Sequence, residues 1–214
     1  MKTVAIIPIK LNNERLPGKN TKLLGNKPLI NYILDEISSI KEIDEIFVYC
    51  SNDTIQEYLP EKIKYLKRPE ILDLATSNFN QIFESFMKVI DSDIYVYAHA
   101  TAPFITSSTI SDCIEKVKSG KFDSAFTASK IQDYLWLDGN PLNFDATNLP
   151  RSQDLKPIYR ETSGVYVFTK ECYLKNHRRI GNIPYIKEIS FRESIDINNA
   201  EDFDLAQIML NIKI

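Results

Sequence analysis

Short apolar runs alternate with segments of helical period along this chain, and that alternation restricts the possible fold more than any other feature. The strand-like runs are residues 3–9, 45–51, 93–100, 124–131 and 163–170. The first and third runs are nearly continuous in Val, Ile and Tyr, which is typical of a sheet covered on both faces. Strands that alternate with helices predict an α/β fold with a mainly parallel central sheet.

Four helices are predicted between and after these strands. The first starts near Pro28, and the second follows Asn78, where Gln81 could complete a capping box. A third helix follows Thr106 or Ser107, and the last follows Asn199. The stripes expected to face the core are Leu29, Ile30, Ile33, Leu34 and Ile37; Phe79, Ile82, Phe83, Phe86 and Ile90; Ile110, Ile114 and Val117; and Phe203, Leu205, Ile208 and Met209.

Length, net charge and cysteine content limit the classes of protein to which this chain can belong. The 214 residues predict one domain over residues 1–214, long enough to bury a core without disulfides or a structural metal. A formal net charge of -3 argues against a nucleic-acid or membrane protein. Cys50, Cys113 and Cys172 are odd in number and far apart, which indicates reduced thiols in a cytoplasmic protein. We expect the first apolar run to be a strand and not a cleavable signal.

Residues 132–160 differ from the rest of the chain because they have no helical period. They contain the turn signal Asp138-Gly139-Asn140-Pro141 with aromatic residues on both sides. This pattern predicts a hairpin or arm that projects from the sheet. Such an arm could be a plain surface excursion, a contact between subunits or a lid.

The loop at residues 10–20 collects positive charge directly after the first strand. In open α/β sheets, ligands bind beyond the carboxyl ends of the strands, where this loop should lie. Lys10, Arg15 and Lys19 are suitable donors to phosphate oxygens. The loop matches neither the P-loop nor the dinucleotide glycine pattern, so side chains would have to hold the anion. A solvated turn is the alternative interpretation.

Asp196 and Asn198 form a possible metal pair. They alternate with Ile195 and Ile197, which predicts a strand with both polar side chains on one face, about 6.5 Å apart. That separation allows two oxygen ligands to share one hydrated Mg²⁺. The alternative is an amphipathic edge strand with solvated polar residues.

Other polar residues keep two interpretations each. His99 and Thr101 follow a buried strand and could contact a sugar or nucleotide, or serve only the turn. Ser77 and Asn78 could bind nucleotide or cap the following helix. The cluster at residues 177–179, His-Arg-Arg, is predicted to be solvated.

Several segments resemble a known family in order along nearly the whole chain. The quoted segments are IIPIKLNNERLPGKNTKLLGNKPLI (6–30), RPEILDLATSN (68–78), HATAPF (99–104), LPRSQDLKPIYRETSGVYVF (149–168) and SIDINNAEDFDLAQ (194–207). They resemble the sugar cytidylyltransferases that make CMP-activated acidic sugars, the acylneuraminate cytidylyltransferase (CMP-sialic acid synthetase) and CMP-Kdo synthetase group. The resemblance implies a three-layer, Rossmann-like sandwich of the nucleotide-diphospho-sugar transferase type, with the arm at 132–160 forming a homodimer.

The same resemblance implies a function and a set of site residues. CMP would be transferred from CTP to the anomeric hydroxyl of an acidic sugar, releasing pyrophosphate, for bacterial-type surface glycan synthesis such as capsule or lipopolysaccharide. It implies nucleotide binding by Pro8, Lys10, Asn13, Arg15, Lys19, Asn20, Ser77 and Asn78. It implies sugar binding by His99, Thr101, Arg151, Gln153 and Glu161. It implies catalytic roles for Lys10, Arg15, Lys19 and Asp196, with Mg²⁺ at Asp196 and Asn198.

Departures from the family pattern keep other functions open. Lys10 stands where the family usually has arginine, Asn13 where it has serine, and Asn198 where it has a second aspartate. His99 and Ala100 replace glutamine and proline. A nucleotidyltransferase with another nucleotide or acceptor is one alternative, and a non-catalytic nucleotide- or sugar-binding protein of the same fold is the other.

Overall fold

Strands and helices alternate through residues 1–212, the part of the chain that the computed structural model describes. The strands are β1 (Thr3–Ile9), β2 (Leu23–Leu24), β3 (Lys27–Pro28), β4 (Glu45–Cys50), β5 (Lys64–Lys67), β6 (Ile94–Ala98), β7 (Ser124–Ile131), β8 (Trp136–Leu137), β9 (Asn140–Pro141), β10 (Ile158–Thr169) and β11 (Pro184–Glu188). The α-helices are α1 (Leu29–Ser38), α2 (Phe79–Met87), α3 (Ser107–Lys118), α4 (Lys170–Asn176) and α5 (Ala200–Asn211). Short 3₁₀ helices cover Lys19–Thr21, Asp53–Tyr58, Glu70–Asp73 and Ser152–Asp154.

Seven of the strands form the central sheet, in the order β11-β7-β10-β6-β1-β4-β5. Neighbouring strands are parallel except at β10, which runs antiparallel to both β6 and β7. The prediction of a mainly parallel α/β sheet is therefore confirmed. Because β1 lies near the middle with β6 and β4 on its two sides, the loops after these strands meet at one edge of the sheet.

Helices cover both faces of the sheet, as the continuous apolar strands predict. Ala5 and Ile7 of β1 pack with the buried stripes of α1 and α3, whereas Val4 and Ile6 pack with the aromatic side chains of α2 and α4. On the second face, the Phe83 ring lies edge-on to other rings, with centroids 4.9 Å from Tyr95 and 4.5 Å from Tyr173. Alternate strand residues therefore belong to different layers of a three-layer sandwich.

The predicted helix starts are confirmed for α2 and α3. Asn78 accepts a hydrogen bond from the backbone N–H of Gln81 at 3.1 Å, and the Gln81 side chain accepts one from the Asn78 N–H at 2.9 Å. This is the capping box that the sequence pattern predicts. Thr106 caps α3 through the backbone N–H of Thr109.

The predicted burial of α5 is partly wrong. Phe203 and Met209 are buried as expected, but Leu205 and Ile208 are 38% and 59% exposed. Helix α5 packs a narrow stripe of Phe203, Ala206 and Met209 against Leu24 and Leu29, so apolar residues outside that stripe face solvent.

Within the central sheet, two strands were not predicted, β5 and β11, and both lie at its edges. The short pair β2 and β3 outside this sheet was not predicted either. The sequences of β5 and β11 are KYLK and PYIKE, in which charged residues interrupt the apolar pattern. Charged side chains on edge strands are a common protection against pairing with other chains, and they also weaken the sequence signal for a strand.

Residues 132–160 contain the predicted hairpin. Trp136–Leu137 pairs with Asn140–Pro141, and both Asp138 and Gly139 in the turn have positive φ, as two-residue hairpin turns often require. Trp136 and Leu137 are 60% and 58% exposed. The role of this segment in subunit contact stays a prediction. Of the helices in residues 1–212, none is both long and apolar enough to cross a membrane.

Candidate active site

A small cavity of about 290 Å³ lies at the carboxyl edge of the sheet, beyond β1 and β6. Its walls come from four parts of the chain, namely the end of β1 with the loop at 10–20, the turn after β6, residue 163 of β10 and the chain before α5. Its lining consists of Pro8, Ile9, Lys10, Asn13, Lys19, Asn20, His99, Ala100, Thr101, Ser163, Asp196 and Asn198. The structure therefore brings together most of the residues that the sequence assigned to nucleotide and metal.

The loop at 10–20 is closed by its own hydrogen bonds. The side-chain amide of the buried Asn20 donates to the backbone carbonyl of Lys10 at 3.0 Å, which ties the two ends of the loop together. Gly18 has a φ of 65°, a left-handed conformation that glycine adopts without strain, and a 3₁₀ turn of Lys19–Thr21 follows it. This turn directs the half-buried Lys19 inward.

Lys19 spans the cavity and contacts the chain before α5. Its Nζ donates a hydrogen bond to the backbone carbonyl of Ile197 at 2.8 Å. Burial lowers the pKa of Lys19, and nearby Arg15 and Lys10 lower it too, whereas the charge of Asp196 raises it. An incoming anion would stabilise this poorly solvated cation, so the position suits a phosphate oxygen.

Lys10 and Arg15 flank Lys19 on different sides. Lys10 Nζ lies 3.4 Å from the backbone carbonyl oxygen of Asp73, towards the end of β5. Arg15 is exposed, and its Nη2 donates to Asn198 Oδ1 at 3.2 Å. Lys10 and Lys19 therefore line the cavity, and Arg15 lies outside the lining in contact with Asn198. A ligand with several anionic groups could contact all three cations.

The segment containing Asp196 and Asn198 is not a strand, which corrects the prediction. Ile197 makes a backbone hydrogen bond to the Thr101 carbonyl at 2.8 Å, but residues 195–198 have no ladder pairing. The predicted alternation nevertheless holds, because Ile195 and Ile197 are buried in the core and the two polar side chains line the cavity. An extended conformation alone gives this alternation, without a sheet partner.

Asp196 and Asn198 are suited to hold magnesium. Asn198 Nδ2 donates to Asp196 Oδ2 at 2.8 Å, and Asp196 Oδ1 is buried with no hydrogen-bond partner in residues 1–212. A buried carboxylate oxygen without a protein partner favours a bound cation or an ordered water, because desolvation is costly when nothing replaces bulk water. Magnesium typically takes one or two carboxylates and completes its shell with water and substrate phosphates, which fits this donor set.

His99 presents another polar atom without a partner. Its Nε2 is buried and has no hydrogen-bond partner in the described chain, while its backbone N–H donates to the Gly164 carbonyl at 3.2 Å. Burial lowers the pKa of His99 to about 4, with a further lowering by Arg179, so the ring is neutral near pH 7. Asn13 Oδ1 and Asn20 Oδ1 are also buried and without partners in residues 1–212.

A second cavity of about 390 Å³ adjoins the first. Ser163, Asp196 and Asn198 line both cavities, so the two form one continuous cleft. The second cavity is further lined by Arg160, Glu161, Thr162, Phe191, Ser194, Ile195, Asp202 and Leu205. Glu161, a predicted sugar-binding residue, thus lies in a different part of the cleft from His99 and Thr101.

The shared wall depends on an irregularity in β10. The register of β10 against β7 shifts between Glu161 and Tyr166, and Ser163 lies inside that shift. The chain packs tightly there, since a Cβ added at Gly164 would lie 2.6 Å from Ile105 Cδ1. Bulges of this kind occur beside active sites, where they redirect a side chain. Periodicity gives no sign of it, so sequence reasoning missed Ser163.

Arg68 is a buried cation that sequence reasoning also missed. It is 2% exposed, it pairs with Asp73, and its Nε has no hydrogen-bond partner in the described residues. A third cavity, of about 540 Å³, lies beside Asp73 at the ends of β4 and β5, and Leu11 and Asn12 of the loop reach it. Arg68 is the first residue of the segment RPEILDLATSN, which resembles the family, and that match could have indicated a functional arginine.

Five predicted residues lie outside both cavities of the cleft, namely Arg15, described above, and Ser77, Asn78, Arg151 and Gln153. Asn78 is engaged in the α2 capping box, and Ser77 Oγ contacts the Ile71 carbonyl at 3.3 Å. Arg151 is exposed on the arm and pairs with Asp154 at 2.7 and 3.1 Å. The Gln153 carbonyl accepts a hydrogen bond from Gln132 at 2.8 Å. Their predicted ligand contacts stay predictions.

A comparison of the amino-acid sequence with models of known protein families agrees with the geometry of the cleft. A family model described as "Cytidylyltransferase" matches residues 4–207, which is nearly the whole chain. The chain belongs to the cytidylyltransferase family. The resemblance drawn from the sequence motifs is thereby confirmed.

Named relatives of this cytidylyltransferase act on several acidic sugars. The N-acylneuraminate cytidylyltransferase of Streptococcus agalactiae serotype V is 23% identical, over 95% of this chain and 52% of the relative. The pseudaminic acid cytidylyltransferase of Campylobacter jejuni serotype O:2 is 26% identical, over 99% of this chain and 97% of the relative. The chain spans about half the length of the acylneuraminate relatives that it matches.

A solved structure of similar fold supports the architecture. It is a CMP:2-keto-3-deoxy-manno-octonic acid synthetase in complex with CTP, with a TM-score of 0.72, 14% identity and coverage of 98% of both chains. Identity at this level shows a shared fold.

Proposed function

We propose that this cytidylyltransferase transfers CMP from CTP to the anomeric hydroxyl of an eight- or nine-carbon acidic sugar and releases pyrophosphate. The observation that carries the proposal is the meeting of Lys19, Asp196 and His99 in one cavity at the carboxyl edge of the sheet. The named relatives, which include enzymes for sialic, pseudaminic and octulosonic acids, support an acidic sugar as the acceptor.

In this proposal the cations hold the triphosphate. Lys19 binds it near the reacting phosphorus, because its Nζ is fixed beside Asp196 by the bond to Ile197. Arg15 and Lys10 extend the positive charge along the chain of phosphates. We place the nucleoside in the third cavity, whose wall includes Asp73, the partner of the buried Arg68. Fixed charges of this kind stabilise the charge that develops on phosphoryl oxygens.

Magnesium is the proposed cofactor, held by Asp196 and Asn198. When bound, it supplies positive charge that stabilises the phosphoryl oxygens during displacement. Asn198 brings no charge, so the affinity of this site for the ion depends strongly on the substrate phosphates.

The acceptor occupies the second cavity, with its anomeric hydroxyl towards the shared wall. Glu161 and Ser163 lie along this cavity and can accept or donate hydrogen bonds to sugar hydroxyls. Neutral His99 and Thr101 are suited to orient the attacking hydroxyl in the smaller cavity. Because the triphosphate and the acceptor would lie in one cleft, positioning would supply much of the rate enhancement.

We also propose a homodimer through the arm at 132–160, in the cytoplasm. The exposed apolar side chains of Trp136 and Leu137 support the contact. Arg151 and Gln153 would then reach an acceptor carboxylate in the second copy, since they lie outside the cleft of their own chain. The free, buried Cys50, Cys113 and Cys172 support a reducing compartment. The product would serve surface glycan synthesis.

A direct assay tests this function. Purified protein is incubated with CTP, Mg²⁺ and a panel of eight- and nine-carbon ulosonic acids, and CMP-sugars are identified by mass while pyrophosphate is measured separately. Parallel reactions with ATP, GTP and UTP test the nucleotide. Turnover with CTP and at least one acid supports the proposal. CTP binding without any product supports a non-catalytic binding protein instead, and turnover with another nucleotide supports a different transferase.

A further inference from the structure

Asp73 presents a carboxylate of fixed orientation in the wall of the third cavity. It ends the 3₁₀ helix Glu70–Asp73 that follows β5, and it lines the cavity of about 540 Å³. Asp73 Oδ1 accepts a hydrogen bond from Nη2 of the buried Arg68, and Asp73 Oδ2 accepts one from the hydroxyl of the buried Ser51. Because each oxygen has its own buried donor, the carboxylate is held in one orientation.

The Asp73 carboxylate can still accept hydrogen bonds from a ligand. Its side chain is 15% exposed, and within residues 1–212 its donors are Arg68 Nη2 and the Ser51 hydroxyl. An ionised carboxylate has about four acceptor positions on its two oxygens, so about two remain. The charge of Arg68 balances that of Asp73, which reduces the repulsion between this carboxylate and a triphosphate.

The third cavity lies next to the proposed phosphate site. Lys10 lines the smaller cavity of the cleft, and its Nζ lies 3.4 Å from the backbone carbonyl oxygen of Asp73. The two residues that follow Lys10, Leu11 and Asn12, line the third cavity. A nucleotide whose phosphates contact Lys10 can therefore extend its base towards the wall that contains Asp73.

The lining of the third cavity suits a ligand that donates hydrogen bonds. Asp53, Glu70 and Asp73 contribute carboxylates to this lining, and Lys67 contributes a cation. Asp53 and Glu70 are exposed, so water satisfies their oxygens at little cost. Asp73 differs from them because two buried donors hold it, and a fixed acceptor discriminates between ligands better than a mobile one.

We propose that Asp73 is a specificity-determining residue for the pyrimidine base, which accepts a hydrogen bond from the 4-amino group of cytosine and disfavours uracil. Cytosine carries an amino donor where uracil carries a carbonyl acceptor. A uracil carbonyl facing Asp73 would bring two acceptors together without a hydrogen between them, and both would lose water. The inference rests on the proposed function, which places the nucleoside in this cavity, and it assigns the choice of base to one side chain.

Nucleotide binding without an acceptor sugar tests this inference. Isothermal titration calorimetry measures the Kd of CTP and of UTP for wild type and Asp73→Asn. The asparagine oxygen can keep the bond to Arg68, while its amide nitrogen offers a donor to the uracil carbonyl. We expect wild type to bind CTP at least about tenfold more tightly than UTP, and Asp73→Asn to lose most of that preference.

Glu70→Gln is the matched control. Glu70 is exposed, lines the same cavity and belongs to the same 3₁₀ helix, so this variant removes an equal charge from the same wall. It should keep the wild-type preference for CTP, which separates a specific contact with Asp73 from a general effect of charge.

A modified nucleotide tests the same contact in the unaltered protein. The triphosphate of 2-pyrimidinone riboside has neither the 4-amino group of cytosine nor the 4-carbonyl of uracil. Wild type should bind it about tenfold more weakly than CTP, because the Asp73 acceptor gains no donor. Asp73→Asn should bind the two nucleotides with Kd values within about threefold of each other, and circular dichroism checks that this variant is folded.

The outcomes distinguish the inference from the function beneath it. Equal affinity of wild type for CTP and UTP, or for CTP and the pyrimidinone nucleotide, overturns the inference, as does an unchanged preference for CTP in folded Asp73→Asn. If CMP-sugar still forms from CTP in these cases, the proposed function stands. If base selection depends on Asp73 but no acidic sugar is turned over with CTP, the inference stands and the proposed function is overturned.

Discussion

Lys19 Nζ donates a hydrogen bond to the backbone carbonyl of Ile197 at 2.8 Å and so connects residues 178 positions apart in the sequence. The bond holds an ammonium group next to Asp196, across the entrance of the smaller cavity. A cation held in position before the substrate arrives loses little reorganisation energy when phosphate charge develops. Substitution of Lys19 is therefore the most direct test of the proposed phosphate site.

Replacing Lys19 with alanine should lower CTP turnover by about 10²- to 10³-fold, because one fixed donor to the phosphates is lost. The fold should persist, since the side chain is only half-buried and packs in a ligand cavity. Pyrophosphate release measures the effect, and circular dichroism checks the fold.

Lys41→Ala is the matched control, because Lys41 is exposed and lies in the connection between α1 and β4. It should behave as wild type. Near-normal pyrophosphate release by Lys19→Ala would show that Lys19 does not bind the phosphates.

The Asp196–Asn198 pair predicts how magnesium dependence changes with charge. Asp196→Asn should lower turnover and raise the magnesium concentration needed for half-maximal rate, because the charged ligand is lost. Asn198→Asp should act oppositely on the magnesium requirement. In wild type, Asn198 Nδ2 donates to Asp196 at 2.8 Å. Without Mg²⁺, the Asn198→Asp variant replaces this hydrogen bond by repulsion between two carboxylates, so its melting temperature should be lower than that of wild type.

Magnesium titrations of rate and of melting temperature measure both effects. Added Mg²⁺ should raise the melting temperature of Asn198→Asp more than that of wild type. Asp204→Asn, an exposed position on α5, is the control. Turnover that is indifferent to EDTA and to Asp196→Asn would exclude a metal at this pair.

The layers and the helix starts could be predicted from the sequence because each follows from a local pattern. Ala5, Ile7 and their alternating neighbours in β1 show that both faces of the strand are covered, and Asn78 with Gln81 forms a cap from four consecutive residues. Such signals need no knowledge of distant contacts.

The remaining features depend on contacts between distant residues. The edge strand β11 is recognised only from its pairing with β7. The orientation of Ser163 is recognised only from the register shift of β10 against β7. Arg179 resembled a surface cation until the fold placed it on Tyr166. Lys10, Asn13, Lys19 and Asn20 of the 10–20 loop line the cavity, because a loop after a central strand lies at the carboxyl edge of the sheet, but Arg15 does not. Their contacts with nucleotide stay predictions.

Asn78→Ala should destabilise the protein by about 1 kcal/mol, because the first turn of α2 loses its cap. Asn78→Asp keeps a side-chain acceptor and should retain most of the stability. Urea unfolding measures the free energy, and the KM for CTP tests the predicted nucleotide role separately. A loss of CTP affinity in Asn78→Asp without a loss of stability would show that this residue contacts the nucleotide.

His99 predicts how the stability of the protein depends on pH. Burial lowers the pKa of His99 to about 4 from 6.5, so between these values the unfolded chain binds a proton that the folded chain does not. The free energy of unfolding should therefore fall as the pH decreases from 6.5 to 4. The slope of this free energy against pH should approach the value for a difference of one bound proton between the unfolded and folded states. His99→Gln should remove that part of the slope.

Urea unfolding at half-unit steps from pH 4 to pH 7 measures the slope in wild type and in each variant. His177→Gln is the control, because His177 is exposed and is the second of the two histidines in the chain. Carboxylates that titrate in the same range are common to all three proteins, so the difference between slopes isolates the imidazole. Equal slopes for His99→Gln and wild type would mean that His99 binds its proton as readily in the folded state as in the unfolded chain.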